Sequence, residues 1–354
     1  MDAPRRREAP ELATLVKPVE PPLEPAEPDG LVLPDPAGHG GDGATIARAL
    51  GMDPSSILDL SMSLNPLAPD IVEIVRPHLG SLSCYPDARD ATRLLADAVH
   101  VDHTRVVLTN GGAEAIALAA AEVRRASVVE PEFSLYRRHL EAVDPRAPAI
   151  RSNPNNPTGR LAGTEETALV WDEAFYALAT GSWTRGDADR GAIVVGSMTK
   201  LLACPGLRLG YIIAPDDALA AKLAARQPEW SVGSLVLAAM ADLLAAVDLP
   251  TWSANLALLR KDLEDLLERH GFTAEPSDAN YVLVKQASGL RQRLASEGVA
   301  VRDCASFGLE GSVRIAVPGP DGLTRLEKAL EGSRREHSTM GHPRRMAQQG
   351  GLKG

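Results

Sequence analysis

Lys200 closes the run Ile193-Val194-Val195-Gly196-Ser197-Met198-Thr199-Lys200, and Arg208 follows eight residues later inside Gly206-Leu207-Arg208-Leu209-Gly210-Tyr211. An apolar strand therefore ends on two hydroxyls and an amine, and the next strand begins beside a guanidinium. An amine can form a Schiff base with a carbonyl compound, while hydroxyls and a guanidinium suit a phosphate. A lysine after a strand is by itself an ordinary surface residue. The weight rests on what the chain places at its other strand ends.

In open α/β sheets, ligands bind beyond the carboxyl ends of the strands. After Val106-Val107-Leu108 comes Gly111-Gly112-Ala113-Glu114, which opens an Ala-rich helix from Ala113 to Val123. The free N–H groups and dipole of such a helix start favour an anion, although an ordinary glycine turn has the same letters. Val128-Val129 is followed by Pro131 and Phe133, an aromatic that could lie on a planar ring or simply fill the core. Asn153-Pro154-Asn155-Asn156-Pro157-Thr158-Gly159 is a turn-forming string rich in amides. Asp172 follows Leu169-Val170-Trp171, where a carboxylate can hold a proton on a ring nitrogen or cap a helix. Arg314 lies in the apolar run Val313 to Val317 and needs a partner there. A substrate carboxylate offers a bidentate one, and a buried ion pair is the alternative. A Schiff-base lysine, a phosphate cradle and a ring-nitrogen partner are together what pyridoxal phosphate requires.

The elements that must position these residues alternate. Val106–Leu108, Val128-Val129, Leu169–Trp171, Ile193–Val195 and Leu209–Ile213 read as short strands between helical or turn segments, the pattern of a mostly parallel sheet with crossover helices. Apolar positions Trp252, Leu256, Leu259, Leu263 and Leu266 step by four and three, giving an amphipathic helix. Strands Tyr281–Val284 and Val313–Val317 and a last helix, Leu323 to Leu330, complete a separate α+β lobe.

Composition excludes several classes. With 354 residues, 44% hydrophobic and 24% charged, the chain reads as a globular enzyme of one large or two unequal domains. The net charge of −10 argues against nucleic acid, and no apolar stretch is long enough to span a membrane. Cys84, Cys204 and Cys304 are too far apart for a zinc pattern and odd in number, which suits a reducing cytoplasm. The eight histidines show no ligand spacing, so no metal is expected. Residues 1–36 hold nine prolines and no aromatic, and the end of the chain is polar and basic; both read as tails.

Taken together, the motifs resemble the pyridoxal-phosphate enzymes of the aspartate-aminotransferase fold, fold type I, over roughly residues 38–332. Asn-Pro-Thr-Gly, Asp-Glu-Ala, Ser-x-x-Lys and an arginine eight residues after the lysine stand in that family's order. The resemblance implies an α/β fold with a large domain at 76–228, a small α+β domain at 229–332, and an arm at 37–75 that joins the small domain. Tails fall at 1–36 and 333–354. It implies that Lys200 carries the cofactor covalently, Asp172 contacts its ring nitrogen, Asn156 its ring oxygen, and Phe133 its face. Gly112, Ala113, Ser197 and Arg208 would hold its phosphate. Tyr85 would reach the same phosphate across a homodimer interface, and Arg314 would bind a substrate carboxylate. His39, Asn65 and Arg151 are candidates for a pocket that takes the phosphate of a small amino-acid-like substrate.

Two subfamilies compete. Gly38-His39-Gly40-Gly41, Leu58 to Pro66, Asp172-Glu173-Ala174-Phe175, Trp230-Ser231-Val232, Ala279-Asn280-Tyr281 and Val301-Arg302-Asp303-Cys304 are similar to the threonine-phosphate decarboxylases of cobalamin biosynthesis. Histidinol-phosphate aminotransferases are the alternative, and a pyridoxal-phosphate binder with reduced or no catalysis is a third. Phe175 stands where a tyrosine is usual, so it cannot bond the ring oxygen. Only about forty residues separate Phe133 from Asp172, where the family has two strands and two helices. The expectation is a shortened domain lacking an edge strand and a helix. A second basic residue directly after Arg314 is also absent, since Ile-Ala-Val-Pro-Gly follows.

Overall fold

The computed structural model describes Leu33, Asp35 and residues 38–339, with side chains up to Gly332. The rest of the N-terminal stretch up to residue 37, and residues 340–354, lie outside the described residues.

Strand β1 (Leu58–Asp59) belongs to the arm. The central sheet then uses β2 (Val106–Asn110), β5 (Ile150–Ser152), β6 (Val170–Asp172), β7 (Ile193–Ser197) and β8 (Leu209–Ile213), in the order β2-β8-β7-β6-β5. Strands β3 (Arg125–Ala126) and β4 (Ala142–Val143) pair in parallel and attach beyond β5 through a bridge between Ser127 and Ala149. Strands β5, β6 and β7 run parallel, whereas β8 runs against both of its neighbours. That reversal matters for the site. The residues following β2, β6 and β7 and the residue preceding β8 all come to one edge of the sheet.

The small lobe holds an antiparallel sheet of β9 (Tyr281–Val284), β11 (Arg302–Asp303) and β12 (Val313–Ala316), in the order β11-β12-β9. Strand β10 (Val299–Ala300) pairs in parallel with β1, which ties the arm to this lobe. The amphipathic helix spans Leu249–Arg269, with Trp252, Leu256, Leu263 and Leu266 buried and Leu259 partly so. One apolar cluster runs from Leu95 and Met198 of the large lobe to Val313 and Leu330 of the small one, so the lobes share a core. The last helix, Pro320–Thr339, continues past Leu330 into the stretch expected to be tail.

The expected shortening takes a different form from the one anticipated. The edge strand is present as β4; what is missing is helix. Among the described residues, none occurs between β4 and β5 or between β5 and β6. Side chains cover the sheet there instead. The guanidinium of Arg185 lies 5.1 Å and that of Arg151 5.4 Å from the centre of the buried Trp171 ring, one cation–π contact each. Arg185 also donates to the carbonyls of Gly163, Thr164 and Glu166, and Arg151 pairs with Glu166, pinning the helix-free connection. Val128-Val129, expected as a strand, is not one. The Val128 carbonyl accepts from the Arg137 side chain rather than from a neighbouring strand, and Val129 is 70% exposed.

Candidate active site

A cavity of about 390 Å³ opens where the strand ends meet. The helix Gly111–Val123 starts at its rim, and its first N–H groups have no acceptor within the helix. Glu114 fixes that start by accepting from the Asn110 N–H at 2.7 Å and from Ser231. Gly111 has φ +75°, and a Cβ there would come 2.3 Å from the Arg208 guanidinium, so only glycine lets the arginine lie against the turn. Gly210 allows β8 to pass the same turn, since its Cβ would meet the Gly111 backbone at 2.5 Å. Ser197 and Arg208 therefore meet at the Gly111-Gly112 turn, and Ala113 and Thr199 line the same cavity. This is a cradle for a phosphate.

The Lys200 amine stands beside it and donates to the Met62 carbonyl at 2.7 Å. Burial, with Arg314 and Arg208 nearby, lowers its pKa to about 8. Asp172, at the end of β6, is buried and accepts from the Tyr136 hydroxyl at 2.8 Å and from the Ala174 N–H at 3.0 Å. Burial raises its pKa. Phe133 lines the same space, edge-on to His39 at 5.5 Å and to Tyr136 at 6.0 Å.

Opposite stands Arg314. One of its nitrogens donates to Asn156 Oδ1 and another to the Ser61 carbonyl at 3.0 Å, and its guanidinium lies 4.8 Å from the Tyr281 ring centre. Across the strand pair its direct neighbour is Arg302, also buried and also lining the cavity. Arg302 donates to the Gly38 carbonyl at 2.6 Å and to Ser306 at 2.7 Å. A chain of net charge −10 thus turns four cationic side chains, Lys200, Arg208, Arg302 and Arg314, into one cavity with a single carboxylate, Asp172. Such a site selects an anion.

Of the residues singled out in the sequence, Gly112, Ala113, Phe133, Asn156, Asp172, Ser197, Lys200, Arg208, Arg314 and His39 line this cavity. Three do not. Asn65 is spent on the backbone, donating to the Leu201 carbonyl at 2.9 Å and accepting from the Leu67 N–H. Arg151 is engaged by Glu166 and Trp171 on the sheet face. Both are removed from the substrate pocket for that reason. Tyr85 is 80% exposed and stacks on Trp230 at 4.6 Å.

Sequence reasoning missed Tyr136, the place of Arg302 in the cavity, and the segment 61–63. The last presents three consecutive carbonyls, to Arg314, Lys200 and Asn280 in turn, with Ser63 at φ +52°. A tyrosine three residues after Phe133 and a charge inside the apolar run at Arg302 were the available signals.

These residues fit pyridoxal phosphate. Beyond the cradle, amine and carboxylate, the Thr199 hydroxyl of the cavity lining is buried without a protein partner, and Arg314 Nε is likewise unpaired. The comparisons agree. Residues 113–330 match the family model for aminotransferase class I and II. The chain is 30% identical to threonine-phosphate decarboxylase of Salmonella typhimurium over 349 residues, covering 82% of this chain and 95% of that protein. It is 29% identical to histidinol-phosphate aminotransferase 2 of Pseudomonas aeruginosa, covering 80% and 91% respectively. The crystal structure of the histidinol-phosphate aminotransferase from Clostridium acetobutylicum superposes with a TM-score of 0.69 at 25% identity, over 79% of this chain and 100% of that one. Cavity, cradle and family model lead to one conclusion: the chain belongs to the aminotransferase class I and II family and is a pyridoxal-phosphate-dependent enzyme of fold type I.

Proposed function

We propose that the chain decarboxylates O-phospho-L-threonine, with Lys200 and Asp172 as its catalytic residues. The observation that carries this reading is the pairing of Arg302 with Arg314. Directly opposed residues on adjacent strands point to the same face with Cβ atoms about 5 Å apart. Two guanidinium groups so placed suit a carboxylate and a phosphate on neighbouring carbons of one small molecule. Histidinol phosphate offers one anionic group to the two guanidinium groups where O-phospho-L-threonine offers two, although 2-oxoglutarate, the second substrate of an aminotransferase, would also offer two. His39 and Arg302 take the phosphate, and Arg314 takes the carboxylate. The 30% identical decarboxylase supports the same reading.

Bound pyridoxal phosphate supplies a protonated ring that accepts the electron pair left at Cα when a bond there breaks. The rest falls to the chain. Gly112, Ala113, Ser197 and Arg208 hold the phosphate end, and Asp172 keeps the proton on the ring nitrogen. The Tyr136 hydroxyl and Ala174 N–H hold Asp172 in place. Arg314 and Arg302 fix the substrate's rotation about Cα, which decides whether the carboxylate or the α-proton is lost. Lys200, depressed to about 8, is the group able to take up and return a proton near neutral pH.

Incubation with O-phospho-L-threonine without a keto acid is expected to release CO2 stoichiometrically. Conversion of histidinol phosphate that depends on 2-oxoglutarate would instead establish an aminotransferase. Turnover of neither, with the cofactor's visible band present, would leave a binder without catalysis.

Tyr85 supports a homodimer. It lies with Leu79, Leu82, Val72 and Trp230 among the exposed large apolar side chains, and a phenol that stacks on an indole needs cover. Sedimentation is expected to give twice the chain mass, and a monomer would remove Tyr85 from the site. The three free cysteines suit the reducing cytoplasm. Among the described residues, no helix is long and apolar enough to cross a membrane.

A further inference from the structure

Glu132 is a buried carboxyl that the cofactor chemistry above leaves unused. It is 2% exposed and sits behind the cavity rather than in it. Its carboxyl accepts from both donors of Ser152, the backbone N–H at 3.1 Å and the hydroxyl. The Ser152 hydroxyl in turn accepts from the Asn156 N–H at 2.8 Å. Asn156 then meets Arg314 through its side-chain oxygen. The same turn is tied at two further points: Asn155 donates to the Pro131 carbonyl, and Tyr281 donates to the Asn155 carbonyl.

A carboxyl is costly to bury, and here the cost is offset by the two Ser152 donors it satisfies, which an apolar side chain would leave unpaired. What Glu132 does that an apolar residue cannot is accept two hydrogen bonds at the residue from which the Asn155–Asn156 turn hangs. We propose that Glu132 is a positioning residue: by holding Ser152 it sets the height of the Asn156 amide, and through that amide the orientation of Arg314 towards the substrate carboxylate. The relay runs Glu132, Ser152, Asn156, Arg314, and every link is a hydrogen bond between buried groups. It rests on Arg314 taking a carboxylate, and it does not depend on which reaction follows.

The test uses maleate, a dicarboxylate with no amine, titrated against the visible band of the cofactor-loaded enzyme, together with hydrogen exchange of the 153–159 segment in the cofactor-free chain. Glu132→Ala is expected to weaken maleate about tenfold, to leave cofactor affinity within about threefold, and to speed exchange at Asn156. Glu132→Gln retains an acceptor for Ser152 and is expected to restore most of both. Where Glu132→Ala does not fold, Ser152→Ala breaks the same relay by the loss of one oxygen and is expected to give the same pair of effects. Unchanged maleate affinity with unchanged exchange in either variant overturns the proposal, as does a Gln variant as impaired as Ala. If the wild type takes maleate but not O-phospho-L-threonine, the decarboxylase reading falls and the maleate series still decides the role of Glu132. If it takes neither, Arg314 is no carboxylate site, and the relay from Glu132 to it is overturned as a positioning device.

Discussion

Lys200→Ala protein is expected to fold, to bind pyridoxal phosphate without the visible band of lysine-linked cofactor, and to lose activity by about 10³-fold or more. The amine lies among Arg208, Arg314 and the cradle and is held by one carbonyl, so its removal deletes a buried cation without cutting a core contact. The wild-type chain should also show the lysine's own titration. The amine reacts only unprotonated, and its pKa is lowered to about 8. The rate of cofactor attachment is therefore expected to rise about tenfold per pH unit below 8 and to level off above it. A solvated lysine would go on gaining to beyond pH 10. A rate still climbing at pH 9.5 would remove the desolvated amine from the site.

Asp172→Asn is expected to keep the fold and the covalent link to Lys200 while lowering kcat by about 10³-fold. The amide can still accept from the Ala174 N–H, and the Tyr136 hydroxyl can turn to accept from its nitrogen, so the local geometry survives. What it cannot do is hold a proton on a ring nitrogen with a negative charge. The carboxylate's effect is large because the group is buried, where electrostatic interactions are weakly screened. If Asp172 merely capped the turn that follows it, kcat would stay within about threefold.

Much of this site was legible because its parts are local. Ser197, Lys200 and Arg208 sit within twelve positions, and strand-turn-strand geometry alone brings them together. The Gly111-Gly112 turn announces itself because a left-handed backbone and a close guanidinium demand glycine there. The same locality explains the errors. Asn65 and Arg151 have side chains suited to a phosphate, but each is claimed by nearer partners, a backbone carbonyl and a carboxylate. In the sequence Arg302 stands out only as part of a resembling stretch, Val301 to Cys304. Its place beside Arg314 depends on the register of β11 against β12, and a shift of one residue would turn its side chain to the other face of the sheet. The missing edge strand was an error of the same kind. A two-residue strand has no periodicity to read, and β4 exists because it pairs with β3.

By itself the sequence determined the cofactor, the order of the parts that hold it, and the lysine and aspartate offered for its chemistry, since these depend on residue type at short spacing. Only the tertiary structure decided which charged side chains line the cavity and how its walls are braced. Arg302 and Arg314, Tyr136 and Asp172, and Glu132, Ser152 and Asn156 come from separate elements. Strand register and burial bring them within hydrogen-bonding reach, and neither can be read from spacing along the chain.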